Sequence, residues 1–98
     1  MNEYMICITL PDTFTEEFIS LIPEQRTYIN NLMHKGIVTG YSLALDRSRL
    51  WVTMLRQSEV EVEQTLITFP LYKFFRYEIY ELAFCNEPIL SLPLVSMN

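Results

Sequence analysis

Glycine, histidine, cysteine and positive charge are all scarce in this 98-residue chain, which holds two glycines, one histidine, two cysteines and seven Lys/Arg against twelve Asp/Glu. With glycine only at 36 and 40 there is no phosphate-cradling loop, and no nucleophile-base-orienter set stands out either. Cys7 and Cys85 make no CxxC and no Cys/His spacing, so neither a disulfide scaffold nor a zinc site is signalled, and two free buried thiols are expected. A net charge of −5 without any basic cluster argues against nucleic acid and anionic membranes, because phosphate binding needs a basic face. The opening residues MNEYMICITL carry an acid where a signal peptide carries bases, and no apolar run approaches the roughly 18 residues of a membrane span. A cytoplasmic protein without metal or nucleotide cofactor is the expectation.

Apolar material is plentiful. Half of the residues are hydrophobic and 13% are aromatic, more than one small core uses, since a domain of this size buries only roughly 60–70% of its unfolded surface. The surplus predicts a homodimer or larger homo-oligomer. A single domain is expected over 1–98, with its core in 3–82 and an irregular apolar tail over 83–98.

The stretch Lys73 to Leu82 alternates Phe74, Arg76, Glu78 and Tyr80 with Phe75, Tyr77 and Ile79, which predicts a strand with one apolar and one charged face. Residues 3–10, apolar on both faces up to Pro11, predict a strand buried on two sides. Asp12 and Thr13 are candidate N-caps for a helix whose stripe runs through Phe14, Phe18, Leu21 and Ile22, and then Tyr28, Ile29, Leu32 and Met33; Pro23 predicts a kink or break over 21–24. His34 and Lys35 suit a last turn and Gly36 a C′ position. Residues 37–45 and 49–56 predict a hairpin around a polar turn, with Val38, Gly40, Ser42 and Ala44 as a small-residue face. Ser58 with Glu61 is a capping box for a second helix with Val62, Leu66 and Phe69 inward, stopped by Pro70. The order βαββαβ predicts an α+β, ferredoxin-like fold: a four-stranded antiparallel sheet with helices on one face. Two such sheets meeting by their bare faces would make a dimeric α+β barrel with a cavity between them.

These anchors resemble the muconolactone isomerases. From Gly36 to Leu82 the chain lies on that family's pattern without a gap. It matches in the helix ending at Leu32 before Gly36, the hairpin length, Ser58, the Phe69-Pro70-Leu71 turn and Glu78. The resemblance implies a dimeric ferredoxin-like barrel whose cleft binds a small organic acid or lactone and moves a proton between two carbons. Met5 and Thr9 stand where the family has bases on its first strand, Val38 to Leu43 replace a Trp/Arg-rich run, and Gln25 replaces an acid before the basic Arg26. Fewer cations to hold an anionic lactone imply a changed substrate.

A proton shift needs a base near a C–H and a donor for the enolate. Glu78 is the candidate base, since the strands read at 4–10, 37–45 and 49–56 contribute no other carboxylate; the competing reading makes it half of an ion pair with Arg76 or another cation across the sheet. Arg26 and Arg76 are candidate anion partners, or solvated charges. Tyr28, Tyr41, Trp51 and Tyr80 would line a pocket, or serve as core and interface. His34 reads as a helix-dipole partner. Two functions remain: an isomerase acting by general acid/base transfer without a cofactor, and a binding or regulatory dimer of the same fold.

Overall fold

In the computed structural model, which describes residues 1–83, strands Asn2–Thr9 (β1), Val38–Leu43 (β2), Arg49–Arg56 (β3) and Arg76–Glu81 (β4) form one antiparallel sheet in the order β2-β3-β1-β4. Helices Glu16–His34 (α1) and Glu59–Leu66 (α2) complete a ferredoxin-like α+β fold. The expected tail, with Cys85, lies outside the described residues apart from Ala83. Among the described residues no helix is long and apolar enough to cross a membrane, and no group of three His, Cys, Asp or Glu could hold a metal ion.

The two central strands carry the core. Ile6, Ile8, Val52 and Met54 are fully buried against Ile29 of α1 and Val62 and Leu66 of α2, and each such burial contributes roughly 1.5–3 kcal/mol. Period two puts the even residues of β1 under the helices, while Glu3, Met5, Cys7 and Thr9 are only half-buried. The strand expected to be buried on both faces is therefore covered on one in the single chain. Residues 73–75 do not belong to the last strand: Tyr72–Phe74 close a 3₁₀ turn, leaving a six-residue edge strand from Arg76.

Thr15, rather than Asp12 or Thr13, caps α1, its hydroxyl accepting the Phe18 N–H at 3.2 Å. The helix runs through Pro23 without a break. A mid-helix proline costs about 3 kcal/mol, and burial of the stripe on both sides of it, Phe18 before and Ile29 and Leu32 after, outweighs that cost. Lys35 ends the helix and Gly36, with φ +76°, takes the left-handed C′ position. At α2 the Ser58 hydroxyl accepts the Glu61 N–H, but the returning Glu61 carboxylate takes the Gln57 N–H instead of that of Ser58. The helix ends at Leu66, before Pro70 is reached.

The pairing of β2 with β3 shifts between Val38 and Gly40. This bulge at Thr39 turns Val38 inward, where it is buried, and separates it from the small-residue face expected to contain it. Beyond the bulge Gly40 and Ser42 share the open face with Thr53 and Trp51, and Tyr41 points under α1.

Candidate functional site

A cleft of about 300 Å³ opens between α1 and the β2–β3 end of the sheet, at the lower end of the roughly 300–1,000 Å³ of small-molecule sites. Its floor is apolar, built from Phe14, Phe18, Ile22, Leu50 and Leu71. Phe14 and Phe18 stack with ring centroids 4.2 Å apart, and Phe18 and Phe74 form a T-shaped pair with centroids 5.2 Å apart. Four polar side chains reach it: Gln25 and Arg26 from α1, Tyr41 from β2, and Arg47 from the hairpin turn. Two of the chain's seven basic residues thus stand at one apolar cleft whose lining holds no carboxylate.

The local sequence explains these positions. Gln25 occupies the inward stripe of α1 between Phe18 and Ile29, and it is a buried polar side chain at 2% exposure. Such a group needs partners. Its Oε1 accepts the Leu71 N–H at 3.1 Å and its Nε2 donates to the Tyr41 hydroxyl at 3.4 Å, tying helix, crossing loop and sheet together. Arg47 is placed by a tight turn: Asp46 Oδ1 accepts the Ser48 N–H and hydroxyl, the Arg47 N–H reaches Ala44 O, and Arg47 takes a left-handed φ of 63°. Burial raises the Tyr41 hydroxyl above its ordinary range, while the Gln25 hydrogen bond and the Arg26 charge pull the other way. Tyr41 is accordingly protonated at neutral pH and available as a donor.

Of the seven side chains singled out from sequence, the cleft gathers Arg26 and Tyr41. Glu78, Arg76, Tyr80 and Trp51 share the opposite, open face of the sheet. There the register sets Glu78, Cys7, Trp51 and Ser42 in one row and Tyr80, Met5, Thr53 and Gly40 in the next. The partner of Glu78 is Tyr80, whose hydroxyl donates to it at 2.8 Å, and that bond raises the Tyr80 pKa. β1 also starts early enough to bring a second carboxylate, Glu3, onto this face, where it accepts from Thr39. Tyr28 joins neither set: it hydrogen-bonds Thr68 and packs edge-on against Phe69. Gln25 and Arg47 were not foreseen as site residues. A polar residue inside an apolar helical stripe is the signal that marks Gln25, whereas nothing local distinguishes Arg47 from a solvated turn charge.

No protein-family model matches the sequence, and no curated protein matches it. Among solved structures, the crystal structure of muconolactone isomerase at 3.3 Å resolution is similar, with a TM-score of 0.68 over 88% of this chain and 91% of that chain. The two sequences are 18% identical, so the likeness shows a common fold.

Proposed function

We propose that the chain binds a small organic acid or lactone in the cleft beneath α1, with Arg26 and Tyr41 as its anchors. The observation that carries this reading is the convergence of Arg26, Arg47 and the Tyr41 hydroxyl over an aromatic and aliphatic floor. An apolar body with an anionic or carbonyl head is the chemistry that such a lining complements. A thermal-shift and calorimetric screen of lactones and aromatic acids tests it. A ligand present at 100 times its Kd stabilises the fold by about 2.7 kcal/mol. Arg26→Gln is expected to weaken carboxylates at least tenfold and neutral lactones much less. A screen without hits, or hits that bind Arg26→Gln and Tyr41→Phe as tightly as the native chain, overturns the reading.

The second reading is proton-shift catalysis at the open face, favoured by the Glu78 carboxylate as a base held by the hydroxyl of its neighbour Tyr80. It requires a second copy to cover that face, where the half-buried Met5 and Cys7 lie beside the exposed Trp51 and Tyr80. Glu78→Gln is then expected to abolish substrate C–H exchange in deuterated water while leaving cleft binding intact. A chain that sediments as a monomer of 11.6 kDa at micromolar concentration refutes it.

A further inference from the structure

We propose that Gln25 is a positioning residue that fixes the direction of the Tyr41 hydroxyl, so that Tyr41 offers its proton to the cleft and the site selects ligands with a hydrogen-bond acceptor there. The inference rests on the cleft being the binding site described above. It follows from a chain of hydrogen bonds whose polarity is set at one end. The Leu71 backbone N–H can only donate, so the side-chain atom 3.1 Å from it must be the oxygen of Gln25. The amide cannot flip without leaving two donors opposed in a site that is 2% exposed. With its oxygen so engaged, Gln25 turns its NH₂ to Tyr41 at 3.4 Å, and the Tyr41 oxygen must accept. A phenol has one proton, and no other partner for it occurs among the described residues. Tyr41 lines the cleft, so that proton is left for whatever occupies it.

The other polar groups at the cleft reinforce the selection. Arg26 from the helix and Arg47 from the turn are the charged side chains lining it, and guanidinium groups donate only. Each polar side chain free to meet a ligand can thus donate, while the one side-chain carbonyl, that of Gln25, is engaged with the Leu71 N–H. Carboxylates, ketones and lactones are accommodated. Ammonium groups bring donors against donors and positive charge against Arg26 and Arg47, and they leave the half-buried Tyr41 hydroxyl without an acceptor, so they are disfavoured.

The direction of the bond can be read without any ligand, from the Tyr41 ¹³Cζ titration in protein labelled at tyrosine. Gln25→Met removes a donor to the phenolate, so the Tyr41 pKa is expected to rise from its native value. A fall would mean that Tyr41 donates to Gln25 in the native chain, and an unchanged value that the two do not interact; either overturns the proposal. Gln25→Glu keeps an acceptor for the Leu71 N–H and preserves the fold, but its second oxygen takes the Tyr41 proton. With acetophenone as a neutral acceptor-only probe, Tyr41→Phe is expected to lose about tenfold in affinity in the native background and nothing in the Gln25→Glu background. Equal losses in both backgrounds refute the positioning role. If the native chain binds neither acetophenone nor benzoate, the binding reading fails, and the titration still decides the direction of the hydrogen bond.

Discussion

Gly40→Ala probes the open face at its tightest point. A Cβ built on Gly40 would stand 2.6 Å from Thr53 Oγ1 and 3.9 Å from Thr53 Cβ. The nearer separation is below any contact that real side chains tolerate, so Thr53 must rotate. That hydroxyl is not free to move without loss, because it hydrogen-bonds Thr39 Oγ1 at 2.8 Å, and the Thr39 hydroxyl in turn donates to Glu3 Oε2 at 2.8 Å. Threonine is stiff at χ1, so swinging Oγ1 away places either the methyl or the hydrogen toward the new carbon. Overpacking costs about 1–3 kcal/mol in a core and belongs near the low end on this exposed face, and the lost hydrogen bond adds about 0.5–1.5 kcal/mol. Against these, replacing glycine gains about 0.4–1 kcal/mol of unfolded-chain entropy. The balance is a destabilisation of about 1 kcal/mol, or about 4–8 °C in Tm for a domain of this size. Urea unfolding of the single and double mutants separates the contributions. In a Thr53→Ala background the clash is absent, and Gly40→Ala is expected to become neutral or stabilising, a coupling of about 1 kcal/mol or more. Additive effects of the two substitutions would refute the assignment of the cost to the Thr53 hydroxyl.

Two further outcomes are expected. Thr15→Ala removes the cap that holds the Phe18 N–H and is expected to cost about 1 kcal/mol by chemical denaturation, whereas Thr13→Ala, outside the helix, should cost nothing measurable. Tyr77, held chiefly by its hydrogen bond with Tyr72, has its pKa pushed up from 10.0 to about 12. A raised pKa favours the folded state below the unfolded value and loses that benefit as pH climbs through the folded one. Stability is therefore expected to fall between pH 10 and 12, and Tyr72→Phe to move the ultraviolet titration of Tyr77 downward; an unmoved titration would sink this assignment.

The elements were legible wherever local chemistry and period agreed. β3 begins and ends at 49 and 56 as its alternation and the Asp46 to Ser48 turn require, and Gly36 and Ser58 take the cap positions that their residue types favour. Two of the misses share one cause, which is tertiary packing overriding a local preference. Burial of the α1 stripe carries the helix through Pro23, and the turn over Tyr72–Phe74, followed by Phe75 buried against Phe69, takes Lys73 and Phe74 out of the strand that alternation suggested. The bulge at Thr39 escaped because a bulge is a property of the pairing, which β2 alone does not record. The likeness to muconolactone isomerase anticipated from the anchors between Gly36 and Leu82 holds at the level of fold.

Of the candidate site, Arg26 and Tyr41 were legible as residues but not as an assembly, and register explains why. Tyr41 pairs with Val52 and Ser42 with Trp51. Tyr41 and Trp51 are therefore one position out of phase across the hairpin and must point to opposite faces. Arg26 and Tyr28 are two residues apart on a helix, which separates them by about 200° around its axis, and they meet the cleft and Phe69 respectively. Arg76, Glu78 and Tyr80 keep one parity and stay together on the open face. A carboxylate on that face and a guanidinium beneath α1 are divided by the sheet itself and cannot grip one ligand within a single chain. The binding proposed at the cleft and the proton transfer proposed at the open face are accordingly separable. Substitutions at Gln25, Arg26 and Tyr41 address the first, while substitutions at Glu78 and Tyr80 address the second, with no contact common to both.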